Sequence, residues 1–136
     1  MADNAALVQE AYDGFAKGDV GPLVAILDDD VEWNEAEHFI YWPGGPFRGV
    51  QAVLEGVIGP LTRDLDGFRI DVDRISAAGD TVLAEARYRA TAKATGKALD
   101  AMVAHVWDFR QGKVVRFQQY TDTWQWTQVA GIEPQQ

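Results

Sequence analysis

Apolar and polar residues alternate with a period of two through most of the second half of the chain, and with a period near 3.6 at its start. In the stretch AMVAHVWDFRQGKVVRFQQYTDTW, residues 101–124, Ala101, Val103, His105, Trp107 and Phe109 share one face of a strand. Beyond a turn at Gln111-Gly112, the same alternation puts Val114, Arg116, Gln118, Tyr120 and Asp122 on one face of the next strand. If the two faces point the same way, His105, Asp122 and a tyrosine hang over one concave surface. Two more strands precede this pair. Residues 68–77 alternate at Phe68, Ile70 and Val72, and residues 81–92 set Val82, Ala84, Ala86, Tyr88 and Ala90 against Leu83, Glu85, Arg87 and Arg89. Gly79-Asp80 and Thr95-Gly96 supply the turns, and Ala84, Ala86, Ala90, Ala101 and Ala104 leave room inside.

Residues 4–17 read as an amphipathic helix through Leu7, Val8, Ala11, Tyr12 and Phe15, capped by Asp3 or Asn4 and stopped by Gly18. A shorter helix follows with Pro22 in its first turn, and the run Asp28-Asp29-Asp30 ends it. Val31–Glu35 is a short strand that carries Glu35 to the side of Val31 and Trp33, an expensive place for a carboxylate unless it is paired or used. The stretch AEHFIYWPGGPFRG, residues 36–49, is aromatic and turn-rich: a lid over a pocket mouth, or a plug that completes the core. Residues 50–58 form a third helix closed by Gly59-Pro60, residues 61–67 a connection, and the last dozen residues a tail. Helices first and long strands after give an α+β fold: a cone-shaped, curved antiparallel sheet with the N-terminal helices packed on its concave face. Residues 1–136 are expected to make a single domain.

Charge and composition narrow the function. Twelve basic residues against twenty-one acidic ones, net −9, do not supply a phosphate-binding surface, so nucleic acid is not an expected partner. No apolar run reaches membrane-spanning length and no signal peptide opens the chain, which points to a cytoplasmic protein with no membrane partner. Zero cysteines remove disulfides, thiol nucleophiles and thiolate metal sites. Glu35, Glu37, His38, His105 and Asp122 are metal-ligand types, but no His-x-His or His-Glu-x-x-His spacing joins them, and Gly44-Gly45 is not a phosphate loop. Neither metal nor cofactor is expected.

A succession of short motifs runs along nearly the whole chain: Tyr12…Gly18-Asp19, Leu27-Asp28-Asp29-Asp30-Val31-Glu32-Trp33, Pro46-Phe47-Arg48-Gly49, Thr95-Gly96-Lys97, His105-Val106-Trp107, Gly112-Lys113-Val114-Val115 and Tyr120-Thr121-Asp122. Their order and spacing resemble the nuclear-transport-factor-2-like superfamily, and within it the SnoaL-like branch of polyketide cyclases and ketosteroid-isomerase relatives. The resemblance implies a cone-shaped barrel with a deep apolar cavity, in a homodimer. It implies no single function, because isomerases, dehydratases, cyclases, hydrolases and binding domains share this fold. Asp122 resembles the acid–base carboxylate of SnoaL-type cyclases and His105 the histidine beside it, while Glu35 falls near the general base of ketosteroid isomerases. The isomerase oxyanion pair has no counterpart, since Ala11 and Ala104 stand at the matching places.

The candidate catalytic groups are therefore Asp122, His105 and Glu35, with Tyr12, Trp33, Phe39, Trp42, Tyr88, Trp107 and Tyr120 as candidate substrate-binding residues. Proton transfer beside a carbonyl needs a base of near-neutral pKa and a donor to the developing enolate, and these groups could supply both. Each also has a plain structural reading: His105 as a satisfied core residue, Asp122 as a strand end or a partner of Arg116. Two functions stay open. One is a cofactor-free lyase, isomerase or cyclase acting on a hydrophobic carbonyl compound; the other is a non-catalytic module that binds a hydrophobic small molecule. Convergence of His105 and Asp122 on one cavity favours the first, and their separation the second. Apolar residues on both strand faces, Val115 and Phe117 against Val114 and Tyr120, add a homodimer through the sheet.

Overall fold

The computed structural model describes residues 3–133. Its elements run α1 (Asn4–Ala16), α2 (Gly21–Ile26), β1 (Leu27–Asn34), β2 (Phe47–Arg48), α3 (Val50–Val53), a π-helical turn (Leu54–Ile58), α4 (Gly59–Asp64), β3 (Leu65–Ala78), β4 (Thr81–Ala92), β5 (Ala98–Arg110), β6 (Lys113–Thr121) and α5 (Thr123–Ala130). The strands form one curved, unclosed sheet in the order β2-β1-β6-β5-β4-β3, antiparallel throughout except where β1 runs parallel to β6. The helices and the loop after β1 cover its inner face, so the architecture is the expected α+β. No helix among the described residues is long and apolar enough to cross a membrane.

The start of α1 follows from its sequence. Asp3 caps it by accepting a hydrogen bond from the Ala5 N–H at 3.2 Å, and Val8, Ala11 and Tyr12 turn inward. The acidic run was expected to end α2, but β1 already begins at Leu27, so the three aspartates lie within the strand. Their segment passes an irregular stretch of the β1–β6 pairing, with Asp29 and Asp30 in solvent.

Two further expectations are corrected. Gly59-Pro60 does not close the third helix. Pro60 has no N–H, and its ring would press on the carbonyl four residues back, which should break an α-helix. Here the π turn widens the ladder first: the Gly59 N–H reaches the Leu54 carbonyl, five residues back, and α4 continues to Asp64. The turn lies so close to β2 that a Cβ on Gly56 would sit 2.2 Å from the Phe47 ring. Nor is the C-terminal stretch only a tail, since it contains α5. Asp122 caps this helix by accepting from the Gln125 N–H at 3.1 Å, and Gly131 ends it in the left-handed conformation at φ 70°. Trp126, Val129 and Ala130 bury its inner face. Residues 134–136 lie outside the described residues.

The strand that matters most is β6. Opposite β5 its register slips by one residue: Phe109 faces Val114, but Asp108 faces Arg116. The additional residue, Val115, is a β-bulge, and it reverses the alternation beyond it. Val114 points inward, and so do Phe117 and Gln119; Arg116 and Tyr120 point outward. Arg116 gains Glu32 at 3.3 Å and Asp108 at 3.7 Å on the outer face. Without the bulge, a guanidinium would enter the core and a phenylalanine would leave it.

Candidate functional site

The concave face of the sheet and its helical cover enclose a narrow cavity of about 60 Å³. At roughly 10–15 Å³ for each water-sized body, it holds only a handful. Every layer of the fold contributes to its wall: Tyr12 from α1, Trp33 and Glu35 from β1 and its end, Phe39 from the loop, Val57 and Leu61 from the π turn and α4, Tyr88, His105, Trp107 and Gln119 from the sheet, and Trp126 from α5.

His105 stands at the centre, 4% exposed. Its Nδ1 lies 2.6 Å from the Tyr12 hydroxyl and its Nε2 2.7 Å from the Tyr88 hydroxyl. Burial pulls its pKa down to about 3, so the ring is neutral near pH 7. The Trp107 Nε1–H donates to the Tyr12 oxygen at 3.2 Å, and the Gln119 Nε2–H to the Tyr88 oxygen at 2.9 Å. Gln119 is itself oriented by the Ala36 N–H, which donates to its Oε1 at 3.1 Å. Backbone N–H groups only donate, which settles the orientation of this amide. Burial raises the pKa of both tyrosines, and the nearby Glu35 carboxyl raises that of Tyr88 further.

Glu35 is the second titratable group in the cavity, also 4% exposed. Desolvation pushes its pKa up to about 8; the Trp33 indole beside it works in the opposite sense but does not adopt the geometry of a formed hydrogen bond. Among the described residues, neither lysine nor arginine lines the cavity. Near pH 7 the carboxyl is thus largely protonated, yet a modest change in its surroundings would ionise it. The indole N–H groups of Trp33 and Trp126 are buried in the same wall without acceptors among the described residues. The polar equipment is therefore rich in donors and close to neutral, inside an apolar shell.

Of the candidate residues, the structure gathers Glu35, His105, Tyr12, Trp33, Phe39, Tyr88 and Trp107 around this cavity. Three lie elsewhere. Asp122 is exposed, its carboxylate engaged in capping α5. Tyr120 is 58% exposed on the outer face. The bulge at Val115 separates both from His105, whose cross-strand partner is Gln119. Trp42 lines an open groove with Tyr41 and Phe47 next to the cavity. The loop thus divides its aromatics, Phe39 inward and the others to the groove. Sequence reasoning missed Gln119 and Trp126. The signal for Trp126 was legible, an Asp122-x-x-Gln125 cap before an i, i+3, i+4 run, whereas Gln119 turns inward only because of the bulge. Among the described residues no three His, Asp or Glu side chains gather as metal ligands.

Solved structures share this fold. An NTF2-like protein from Burkholderia thailandensis E264 is 32% identical, with 95% of this chain and 98% of that one covered and a TM-score of 0.89. An NTF2-like protein of unknown function from Burkholderia pseudomallei K96243 is 26% identical over 96% and 98% of the two chains, with a TM-score of 0.86. TerC, co-crystallised with polyporic acid, is 24% identical over 94% and 98%, at 0.84, a likeness of fold. No curated protein matches the chain. Residues 8–117 match the SnoaL-like domain, a span from the first helix to the inward-turned Phe117 of β6. On that match, and on a curved sheet with a helix-covered cavity, the chain belongs to the SnoaL-like domain family within the NTF2-like fold.

Proposed function

We propose that this protein is a cofactor-free acid–base catalyst of the lyase, isomerase or cyclase type, acting on a small apolar carbonyl compound. The observation that carries the reading is Glu35: a carboxyl without a cationic partner, held in an apolar cavity, with its pKa raised to about 8. A base near neutrality is what proton removal beside a carbonyl requires. In this reading Glu35 takes the proton from carbon, and donors around Tyr12, Tyr88 and the two orphaned indoles hold the developing oxyanion. Asp122 has no part in it, and Glu35 replaces it as the acid–base residue.

The separation of Asp122 from His105 favours a second reading, a module that binds a hydrophobic small molecule without turning it over. Proton exchange discriminates the two. Cyclohexanone incubated with the protein in D₂O should gain deuterium at its α-carbons, and Glu35→Gln should reduce the rate by about 100-fold or more while ketone binding, read by tryptophan fluorescence, persists. Binding without exchange in the wild type would establish the module instead. We further propose that the protein works as a homodimer through the outer sheet face. That face exposes Met102 and Tyr120 among Arg74–Glu85, Arg89–Asp71 and Arg87–Asp100 ion pairs, a pattern of both signs that a second copy can complement.

A further inference from the structure

Protons around His105 can be counted. The Tyr12 oxygen accepts the Trp107 N–H, and the Tyr88 oxygen accepts the Gln119 N–H, whose direction the Ala36 N–H fixes. Between the two hydroxyls stands a neutral imidazole, which carries one N–H and one bare nitrogen. One tyrosine therefore donates to the bare nitrogen, and the other accepts from the N–H. The second tyrosine keeps a proton for which the hydrogen bonds among the described residues provide no acceptor. Because both tyrosines line the cavity, that proton belongs to whatever occupies it. The two ends are closely matched: imidazole contacts of 2.6 and 2.7 Å, each oxygen also receiving one N–H. These contacts alone do not choose a tautomer, and the Glu35 carboxyl near Tyr88 helps to keep the proton of that tyrosine in place.

We propose that Tyr12, His105 and Tyr88 form a neutral proton relay with two interchangeable states, so that either tyrosine can present the phenol proton to the bound molecule. The relay rests on the acid–base reading of the cavity and assigns the tyrosines as its proton donors. When Tyr88 gives its proton to one ligand oxygen, the Nε2 proton passes to Tyr88, the Tyr12 proton passes to Nδ1, and Tyr12 recovers a proton from a second ligand oxygen. Four O–H or N–H bonds break and four form; no charge is left behind, and the imidazole ends as the other tautomer. The relay serves a substrate with two oxygens, such as the enol of a diketone or a hydroxyketone. Gln119 and Trp107 act as positioning residues, since their N–H groups hold each phenol oxygen with its proton directed away from them.

The ring nitrogens of His105 report the tautomer directly through ¹⁵N chemical shifts at pH 7, with His38→Asn separating the signals of the chain's two histidines. In the wild type both nitrogens should resonate between the protonated and bare positions, as a fast mixture does. Tyr12→Phe leaves Nδ1 without a partner and should drive the ring to the Nε2–H form, because a buried bare nitrogen is better tolerated than an orphaned N–H. Tyr88→Phe should drive it to the Nδ1–H form. A wild-type ring fixed as one tautomer, a cationic ring, or variants that leave the ratio unchanged or move it in the same sense would overturn the relay. The outcome is independent of α-proton exchange: a relay that stands while the wild type binds ketone without exchange removes the acid–base reading alone, and full-rate exchange in Glu35→Gln removes only Glu35 as the base.

Discussion

Replacing Glu35 by glutamine tests the electrostatics of the cavity through stability alone. In the folded protein the carboxyl has a pKa of about 8, against 4.5 when the chain is unfolded and the group is in water. Below pH 4.5 both states hold the proton and burial of the neutral acid is tolerated. As pH rises toward 8 the unfolded chain has released the proton while the folded one still holds it, so stability falls; above 8 the folded protein carries a buried carboxylate. The gap of about 3.5 pH units corresponds to roughly 5 kcal/mol lost across that window, at about 1.36 kcal/mol per unit. Glutamine keeps the shape and never ionises. Urea denaturation of both proteins at pH 5, 7 and 9 should then show a difference that grows with pH in favour of Glu35→Gln, most of it between pH 5 and 8. Carboxylates such as Asp64 and Asp71, whose pKa values are lowered, titrate alike in both proteins and cancel. Any misfit of the amide adds an offset independent of pH. Parallel profiles, with a difference constant to within about 1 kcal/mol, would refute the placement of Glu35 in a desolvated site.

Asp122→Ala should cost about 1 kcal/mol of stability through loss of the α5 cap, while Asp122→Asn keeps the cap and leaves α-proton exchange unchanged; a hundredfold loss of exchange in Asp122→Asn would return that residue to the site. Sedimentation at micromolar concentration should show twice the 15.0 kDa chain mass. Met102→Glu on the outer face should shift the protein to monomer, and a wild-type monomer would end the dimer proposal.

Much of this molecule follows from local pattern. The two-residue period of β4 and β5 placed Tyr88, His105 and Trp107 on one buried face, and the step from Val31 to Trp33 carried Glu35 inside with them. Those are consequences of pleat geometry and of the gain from removing apolar surface from water, which act residue by residue. Alternation alone does not specify its own interruptions. On β6 a single added residue at Val115 exchanged the inner and outer faces, because burying Arg116 would have been far more costly than one unpaired backbone position. That exchange brought Gln119 opposite His105 and left Asp122 to cap a helix. Likewise the continuation of the third helix past Gly59-Pro60 depended on a π turn packed against Phe47. A sequence names the groups available to a cavity; which of them enter it is decided where strands from distant parts of the chain settle their register against one another.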